Sequence, residues 1–140
     1  MNAYASPVSR YMVEKVITAT VSHSVQSVCK TMYDNNIGSV VIVKRRMSVL
    51  VPVGIITEGD IVKIIGSTDL FIGMAAIREF MSTPLVTVTP ETTISSAIDI
   101  LNAKKIRRLP ITHKNKDVDE LIGIISGRDI LEAIGKIKKN

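Results

Sequence analysis

An internal repeat constrains the fold of this chain more than any other feature. Gly123-Ile124-Ile125-Ser126 is followed three residues later by Asp129, and the same pattern occurs as Gly54-Ile55-Ile56-Thr57 before Asp60. The two copies lie 69 positions apart (123 − 54), and this offset holds across the loops without a gap. Further identities at the same offset are Met12/Met81, Thr18/Thr87, Ser27/Ser96, Ile42/Ile111 and Gly66/Gly135. The chain is therefore a tandem duplication, and its fold must contain one unit twice.

Length and composition favour a compact domain. The chain has 140 residues, of which 46% are hydrophobic and 22% are charged. Such a composition argues against disorder. Because a single repeat of roughly 65 residues buries a marginal core, we expect the two halves to share one.

Charge, cysteine content and hydropathy limit the function classes. The net charge of +5 favours an anionic partner. The single cysteine, Cys29, excludes an internal disulfide and fits a reducing compartment. No stretch reaches the roughly 18 apolar residues of a membrane helix, and the first residues do not resemble a secretory signal. We therefore expect a soluble, cytoplasmic protein that does not enter a membrane.

Each repeat reads as strand, helix, strand, strand, helix. Residues 16–20 alternate like a short strand, and Ser24 precedes a helix whose apolar positions follow helical spacing. The first hairpin is predicted at 38–43 and 49–56 around a polar turn at 44–48, and the second at 108–112 and 121–125 around a loop at 113–120. The apolar stripe is Val25, Val28, Cys29 and Met32, repeated as Ile94, Ala97, Ile98 and Leu101.

These elements predict the α+β class, with two tandem β-α-β-β-α repeats packed as a sandwich. The first repeat covers residues 7–66, a linker covers 67–74, and the second repeat covers 75–137. Near-continuous apolar runs at 40–43 and 53–56 indicate that both faces of the sheet are covered.

The repeated hydroxyl-x-x-aspartate allows two compatible interpretations. In the structural one, Thr57 or Ser126 caps the following helix, and Asp60 or Asp129 reaches back to the amide of the cap. In the functional one, the aspartate lies where a strand meets a helix and accepts both hydroxyls of a ribose. A carboxylate has two oxygens, so spacing alone does not choose between them.

Further motifs point to a family. Asn36-Ile37-Gly38-Ser39 follows the first predicted helix, and Met81-Ser82 precedes Val86-Thr87-Val88. The second repeat also contains Arg107-Arg108-Leu109-Pro110-Ile111. Together with the Gly-Ile-Ile-Thr/Ser-x-x-Asp-Ile ending, these segments resemble the cystathionine β-synthase (CBS) domain. Two such domains in tandem resemble the paired unit called a Bateman module, and the resemblance covers nearly the whole chain.

The resemblance implies a pseudo-two-fold disc with two clefts that bind adenosine-containing ligands such as AMP, ADP, ATP or S-adenosylmethionine. In the first cleft, it assigns the ribose to Asp60 with Thr57 and the base to Ile106 of the opposite repeat. In the second cleft, the ribose is assigned to Asp129 with Ser126. The segments that would serve this second cleft are Ile37-Gly38-Ser39 and His23 around the base, and Arg107 and Arg108 around a phosphate.

The residues themselves predict that the two clefts differ. The second repeat carries Arg107, Arg108 and Arg128, where the first repeat has Gly38, Ser39 and Gly59. Guanidinium groups bind phosphate oxygens through paired hydrogen bonds. The Asp129 cleft is therefore the predicted site for a phosphorylated ligand, while the Asp60 cleft stays empty or takes a less negative one. The alternative is a solvated arginine face at a helix end.

No catalytic or metal constellation emerges. The chain has no Gly-rich phosphate loop and no nucleophile elbow. His23 and His113 have no metal-ligand spacing to other residues, and Cys29 lies on an apolar helix stripe. We therefore expect a non-enzymatic sensor that requires no cofactor and binds an adenine nucleotide or S-adenosylmethionine as a regulatory ligand.

Three kinds of partner are expected besides the ligand. The resemblance implies a homodimer that pairs through helices, and the expected contact is the apolar stripe of the last helix in each repeat: Ile61, Ile64, Ile65 and Ile130, Leu131, Ile134. The alternative is that these faces pack within the chain. Output would pass to an unidentified protein in trans. The alternatives are a dimeric scaffold without ligand, and a nucleic-acid binder that uses basic residues such as Lys44-Arg45-Arg46. The absence of Trp and the scarcity of Phe and Tyr disfavour stacking on single strands.

Overall fold

The computed structural model describes residues 2–67 and 72–135. Residues 68–71 of the predicted linker, the end of the predicted second repeat at 136–137, and the basic residues Lys138 and Lys139 lie outside the described residues.

Within these residues the chain forms five β-strands and four α-helices. The first repeat has the predicted order of strand, helix, strand, strand, helix, and the second lacks the predicted first strand. The strands and α-helices are β1 Thr18–Thr20, α1 Val25–Asn35, β2 Ser39–Arg46, β3 Val49–Thr57, α2 Glu58–Ser67, α3 Ile94–Lys104, β4 Arg108–Asn115, β5 Val118–Ser126 and α4 Gly127–Gly135. Short 3-10 helices cover Ala3–Ala5, Val8–Arg10, Ile72–Met74 and Ile77–Glu79. The α+β class is therefore confirmed.

The chain divides into two compact units whose boundaries differ from those of the sequence repeats. One unit, here the repeat-1 unit, is Ile17–Leu85. The other, the repeat-2 unit, combines Met1–Val16 with Val86–Asn140. The segment that precedes each repeat in sequence is thus part of the unit built around the other repeat.

Equivalent hydrogen bonds attach these exchanged segments. In the repeat-2 unit, the Val8 amide donates to the Thr92 carbonyl at 2.7 Å, and the Ile94 amide donates to the Ser6 carbonyl at 2.9 Å. In the repeat-1 unit, the Ile77 amide donates to the His23 carbonyl at 2.7 Å. Val8 and Ile77 have no exposed surface. Each exchanged segment therefore contributes a backbone connection and an apolar side chain to its unit.

The repeat-1 unit contains a three-stranded sheet in the order β1-β2-β3. β1 runs parallel to β2, with Thr18 opposite Val41, and β2 runs antiparallel to β3. The exchanged segment extends this sheet at one point, because the Ser82 amide donates to the Ile55 carbonyl at 3.0 Å.

The repeat-2 unit keeps this plan but has a shorter first strand. β4 and β5 form the antiparallel pair, and Val13 bridges to Ile124 as Ser82 does to Ile55. The strand predicted in the second repeat is reduced to a bridge between Val88 and Ile111. Pro110 stands where the repeat-1 unit has Val41, whose amide donates to Ile17. Proline has no amide hydrogen, so this ladder cannot continue.

The two hairpins are longer than the sequence predicted, and their turns are shorter. The prediction of a loop at 44–48 was wrong, because Lys44, Arg45 and Arg46 extend β2 and the turn is Met47-Ser48. Both turn residues have positive φ angles, 50° and 68°, as a two-residue hairpin turn requires. The loop predicted at 113–120 is likewise replaced by continued strands around Lys116-Asp117. Polar residues extend these strands because both faces are solvated there.

The helix predictions in both repeats are confirmed at their amino ends. The Ser24 hydroxyl accepts a hydrogen bond from the Ser27 amide at 3.0 Å, and the Thr93 hydroxyl accepts one from the Ser96 amide at 3.1 Å. Asn36 and Lys105 follow α1 and α3 in the left-handed conformation that commonly ends a helix.

Among the described residues, each unit has a cluster of buried side chains. The repeat-1 cluster includes Val28, Ile42, Ile56 and Ile77. The repeat-2 cluster includes Val8, Ala97, Ile111 and Ile125. Each exchanged segment adds apolar volume to its cluster that a repeat of this size lacks. A core shared by the two halves stays a prediction.

Among residues 2–67 and 72–135, no helix has the length and apolar character needed to span a bilayer.

Candidate functional site

In the repeat-1 unit the repeated motif forms a complete capping box. β3 ends at Thr57 and α2 begins at Glu58. The Thr57 amide donates to Asp60 Oδ2 at 2.9 Å, and the Asp60 amide donates to Thr57 Oγ1 at 3.1 Å. The Glu58 amide donates to the Gly38 carbonyl at 3.0 Å, which ties the helix start to the start of β2. The capping interpretation of this motif is therefore confirmed.

In the repeat-2 unit the same motif forms a different set of bonds. The Ser126 amide donates to Asp129 Oδ2 at 2.8 Å, as in the other unit. The Ser126 hydroxyl, however, donates to the same Oδ2 at 3.0 Å. The Gly127 amide donates to the Arg107 carbonyl at 3.1 Å. Asp129 is thus held by two donors from one residue.

Both aspartates keep one carboxylate oxygen uncommitted. Their hydrogen bonds to described residues go to Oδ2, which leaves Oδ1 without such a partner in either unit. Both side chains are half-buried and lie in the first turn of a helix. A carboxylate held in this way can accept hydrogen bonds from a bound hydroxyl while it continues to cap the helix.

Each unit places the start of its central strand beside its own motif. Ser39 lies opposite Thr57, and Arg108 lies opposite Ser126. Ile37 and Ile106 pack against the cores of their own units. The structure therefore groups Ile37-Gly38-Ser39 with Thr57 and Asp60, and Ile106, Arg107 and Arg108 with Ser126 and Asp129. The assignment of Ile37-Gly38-Ser39 and His23 to Asp129, and of Ile106 to Asp60, stays a prediction.

Three arginines lie around the Ser126–Asp129 junction. Arg107 and Arg128 are exposed, and Arg108 is half-buried. None of the three forms an ion pair with another described residue. The backbone thus places three arginines next to the Ser126–Asp129 motif, where the Thr57–Asp60 motif has Gly38, Ser39 and Gly59. The binding of phosphate by these arginines stays a prediction.

His23 closes the turn between β1 and α1. Its Nδ1 accepts a hydrogen bond from the Thr20 amide at 2.8 Å, and its carbonyl accepts the Ile77 amide. The side chain is exposed. His23 therefore has a local structural function, and its assignment to a ligand cleft remains untested.

Sequence reasoning missed a polar cluster on the second hairpin. Glu120 Oε1 lies 3.0 Å from His113 Nε2 and accepts a hydrogen bond from Asn115 Nδ2 at 3.0 Å. The hydrogen bonds from Asn115 and His113 lower the pKa of Glu120 below its ordinary value. The cluster was missed because 113–120 was assigned to a loop. Continuing both predicted strands to a two-residue turn at Lys116-Asp117 would have placed His113 opposite Glu120.

Cys29 packs against the repeat-1 core, as predicted from its position on the helix stripe. Burial raises the pKa of its thiol, so the neutral form is favoured. Within the described part of the chain, no group of three or more His, Cys, Asp or Glu residues has a geometry that could hold a metal ion.

The predicted dimer stripes are only partly available at the surface. Ile61 is buried in the repeat-1 core, and Ile64, Ile130 and Ile134 pack against the cores of their own units. Helical spacing did not separate these positions from the exposed ones. The exposed apolar side chains on α2 and α4 are Val62, Ile65 and Leu131, with exposures of 70%, 55% and 71%.

Comparison with known proteins establishes the family. The model of the CBS domain matches residues 8–67 and again residues 77–136. The chain therefore belongs to the CBS domain family and contains a tandem pair of these domains.

Individual relatives agree with this assignment. An uncharacterized protein of Methanopyrus kandleri is 36% identical over 117 residues, which is 84% of this chain and 57% of that protein. The chain thus spans just over half the length of that relative. Among solved structures, the CBS domain pair of protein MJ0100 in complex with 5′-methylthioadenosine and S-adenosyl-L-methionine has a TM-score of 0.81 at 24% identity, covering 96% of this chain and 99% of that one. CBSX2 in complex with AMP has a TM-score of 0.77 at 20% identity, covering 96% and 99%. At these identities the likeness shows the fold.

Proposed function

We propose that this chain is a regulatory module that binds an adenosine-containing ligand at Asp60, Asp129 or both. The observation that carries the proposal is the state of the two carboxylates. In each, Oδ2 is fixed by hydrogen bonds at a helix start, while Oδ1 keeps its capacity to accept. A pre-oriented acceptor at the end of a strand suits the paired hydroxyls of a ribose.

The solved relatives support this choice of ligand class. One CBS domain pair of the same fold is described in complex with 5′-methylthioadenosine and S-adenosyl-L-methionine, and another in complex with AMP. These molecules share an adenosine or thioadenosine group and differ in charge. A carboxylate can accept hydrogen bonds from the ribose hydroxyls that these molecules share. The charge of the preferred ligand would then depend on the side chains around that carboxylate.

We further propose that the Asp129 site takes the more negatively charged ligand. Arg107, Arg108 and Arg128 supply guanidinium groups at positions where the repeat-1 unit has Gly38, Ser39 and Gly59. Charge-assisted hydrogen bonds to phosphate contribute roughly 1.5–3 kcal/mol each. The Asp60 site has no comparable cations on its strand and helix starts, so it suits a nucleoside or a sulfonium compound.

Titration calorimetry with AMP, adenosine and S-adenosylmethionine tests ligand binding. The informative variants are Asp60→Glu and Asp129→Glu, because glutamate is the usual residue at this capping-box position but its carboxylate lies one methylene further out. We expect each to preserve stability and to weaken binding at its own site by about tenfold, which corresponds to the loss of one hydrogen bond. Unchanged affinity in both variants would contradict the assignment. A complete absence of heat would favour the scaffold without ligand.

Arg108→Ala tests the phosphate assignment, with Lys104→Ala, an exposed cation in the last turn of α3, as the control for loss of a positive charge. We expect Arg108→Ala to weaken AMP binding by about tenfold or more and to change adenosine binding little. Lys104→Ala should change neither strongly. Equal losses for AMP and adenosine in Arg108→Ala would exclude a contact to phosphate.

The output is proposed to pass through a homodimer to a protein partner. Val62, Ile65 and Leu131 expose large apolar side chains on α2 and α4, which supports an interface there. A ligand can change such an assembly when it binds one conformation more tightly than another. We place the module in the cytoplasm, since its single Cys29 suits a reducing compartment. A monomeric mass in light scattering, with and without ligand, would refute the dimer.

A further inference from the structure

The first hairpin ends in a cluster of exposed cations. Lys44, Arg45 and Arg46 are the last three residues of β2, and all three are exposed. The turn that follows them begins with Met47, which is 61% exposed. We call these four residues the basic hairpin end. Because side chains alternate along a strand, Lys44 and Arg46 project from one face and Arg45 from the other.

The cations of the basic hairpin end have no acidic neighbours across the hairpin. Lys44 lies opposite Val51, Arg45 opposite Leu50 and Arg46 opposite Val49. These three aliphatic side chains are half-buried, so they still present apolar surface. None of the three cations forms an ion pair with a described residue. The basic hairpin end thus combines unneutralised charge with aliphatic surface.

The equivalent end of the second hairpin is neutralised. Lys114 Nζ lies 3.1 Å from Asp119 Oδ1, and His113 contacts Glu120 at 3.0 Å. Asp119 and Glu120 occupy the positions of Leu50 and Val51, and both hairpins keep the same register. The difference between the two ends is therefore one of side chains and not of backbone.

The edge of β2 is also open at this point. β1 pairs with β2 up to Thr20 opposite Val43, and no described strand pairs with that edge beyond Val43. An extended segment along residues 44–46 can present alternate side chains to the two faces of the hairpin, where the cations project alternately.

We propose that the basic hairpin end is a docking site for an acidic segment of another protein, in which apolar residues separate the carboxylates. Arginine binds carboxylates through paired hydrogen bonds, and Val49, Leu50 and Val51 offer apolar surface next to each cation. A protein segment fits better than a single-stranded nucleic acid, because β2, β3 and their turn contain no aromatic side chain for base stacking. It also fits better than a duplex, because a duplex would contact the cations through its phosphates and leave the apolar surface of Val49, Leu50 and Val51 unused. This site is separate from the two aspartates, and the proposal does not depend on ligand binding there.

Fluorescence anisotropy with the full chain tests the proposal. The probe is a short fluorescein-labelled peptide of alternating Glu and Leu, compared with the same peptide carrying Gln for Glu and with a short RNA duplex. At an ionic strength of about 0.15 M, we expect the Glu peptide to bind and the Gln peptide not to bind. The triple variant Lys44→Ala, Arg45→Ala, Arg46→Ala should weaken binding by about tenfold, because three partly exposed ion pairs are lost.

A matched exchange between the hairpins keeps the result independent of folding defects. Leu50→Asp with Val51→Glu copies the carboxylates of the second hairpin while keeping all three cations, and it should also weaken binding by about tenfold. The second hairpin has His113, Lys114 and Asn115 at the positions of the three cations. Copying the whole basic hairpin end there (His113→Lys, Lys114→Arg, Asn115→Arg, Asp119→Leu, Glu120→Val) should therefore restore binding when the first hairpin carries the triple substitution. Circular dichroism verifies the fold of each variant.

Three results would overturn the proposal: no binding of the Glu peptide, equal binding by the wild type and the triple variant, or equal binding of the Glu and Gln peptides. Tighter binding of the RNA duplex than of the Glu peptide would also overturn it and assign the surface to nucleic acid. Since Asp60 and Asp129 are intact in every variant, loss of peptide binding is distinguishable from loss of adenosine binding.

Discussion

The two hairpins of this chain share a backbone and differ in charge. Their strands pair in the same register and carry a bulge at the same repeat position, Ile42/Val43 in one and Ile111/Thr112 in the other. One ends in three unpaired cations, whereas the other ends in ion pairs to Asp119 and Glu120. The helix starts diverge in the same manner, with arginines around Asp129 and small residues around Asp60. The comparison teaches that after the duplication the backbone pairing of the hairpins stayed equivalent, while their exposed side chains became specialised.

Removing the apolar anchor of each exchanged segment should produce the largest effect. Ile77→Ala should lower the free energy of unfolding by about 2–5 kcal/mol, because Ile77 is fully buried. Val8→Ala should cost about 1.5–3 kcal/mol, since the side chain is smaller. Denaturant unfolding measures both losses. Tyr33→Ala, at an exposed position of α1 outside the proposed interface, is the control and should stay within about 0.5 kcal/mol. Losses no larger than the control would show that a unit does not need its exchanged segment.

Alanine substitutions at the equivalent glycines Gly54 and Gly123 should have smaller and unequal effects on stability. A Cβ at Gly54 would lie 2.8 Å from Met81 Cγ and 3.2 Å from Met81 Cβ, atoms near the backbone that cannot turn away. A Cβ at Gly123 would lie 2.5 Å from Met12 Sδ, the far part of a flexible side chain, and 3.2 Å from the Val13 carbonyl oxygen. We therefore expect Gly54→Ala to cost about 1–3 kcal/mol of stability and Gly123→Ala to cost less. Chemical denaturation of the two variants measures both costs, and the reverse order would mean that the Val13 carbonyl restricts Gly123 more than Met81 restricts Gly54.

The hydroxyls of Thr57 and Ser126 should differ in their contribution to stability, by less than the two glycine variants do. Thr57→Ala removes the acceptor of the Asp60 amide and should cost about 1 kcal/mol. Ser126→Ala removes a donor to a carboxylate that keeps its backbone donor, so its cost should be smaller. Thr57→Ser and Ser126→Thr keep the hydroxyls and serve as controls in the same unfolding measurement. Equal costs for the two alanine variants would show that the two caps are equivalent in solution.

The smallest expected effect is a pH dependence that belongs to one hairpin. Hydrogen bonds from Asn115 and His113 hold the pKa of Glu120 below its ordinary value of 4.5. The resulting stabilisation is fully present above that ordinary value and is lost as the pH falls through the lower pKa of the folded state. Glu120→Gln should remove this part of the acid dependence of the melting temperature, whereas Val51→Gln in the other hairpin should not. Identical acid profiles for wild type and Glu120→Gln would refute the assignment.

Much of the fold was predictable because the sequence contains two copies of the same pattern. The offset of 69 supported each helix and strand in duplicate, and the hydroxyl-x-x-aspartate pattern correctly predicted the cap in which Thr57 accepts the Asp60 amide. Local physical chemistry determines such features, so a short window of residues contains the information.

The remaining features depend on contacts that no short window contains. The packing of Val8 with the second repeat, and of Ile77 with the first, requires knowledge of the whole chain. The hairpin turns were missed because Lys44, Arg45 and Arg46 are typical of loops, although they continue β2. The truncated strand at Val88 followed from Pro110, whose missing amide matters only once the strand pairing is known. Ligand specificity likewise depends on how side chains from distant segments are combined.

The exchange of segments also sets an order for folding during synthesis. The repeat-1 unit is continuous in sequence from Ile17 to Leu85, so all its parts are translated before the second repeat. The repeat-2 unit is interrupted, and Val8 has to wait for Ile94 and β4. Nascent chains therefore carry the apolar segment around Val8 without its packing partner until these later residues have been synthesised.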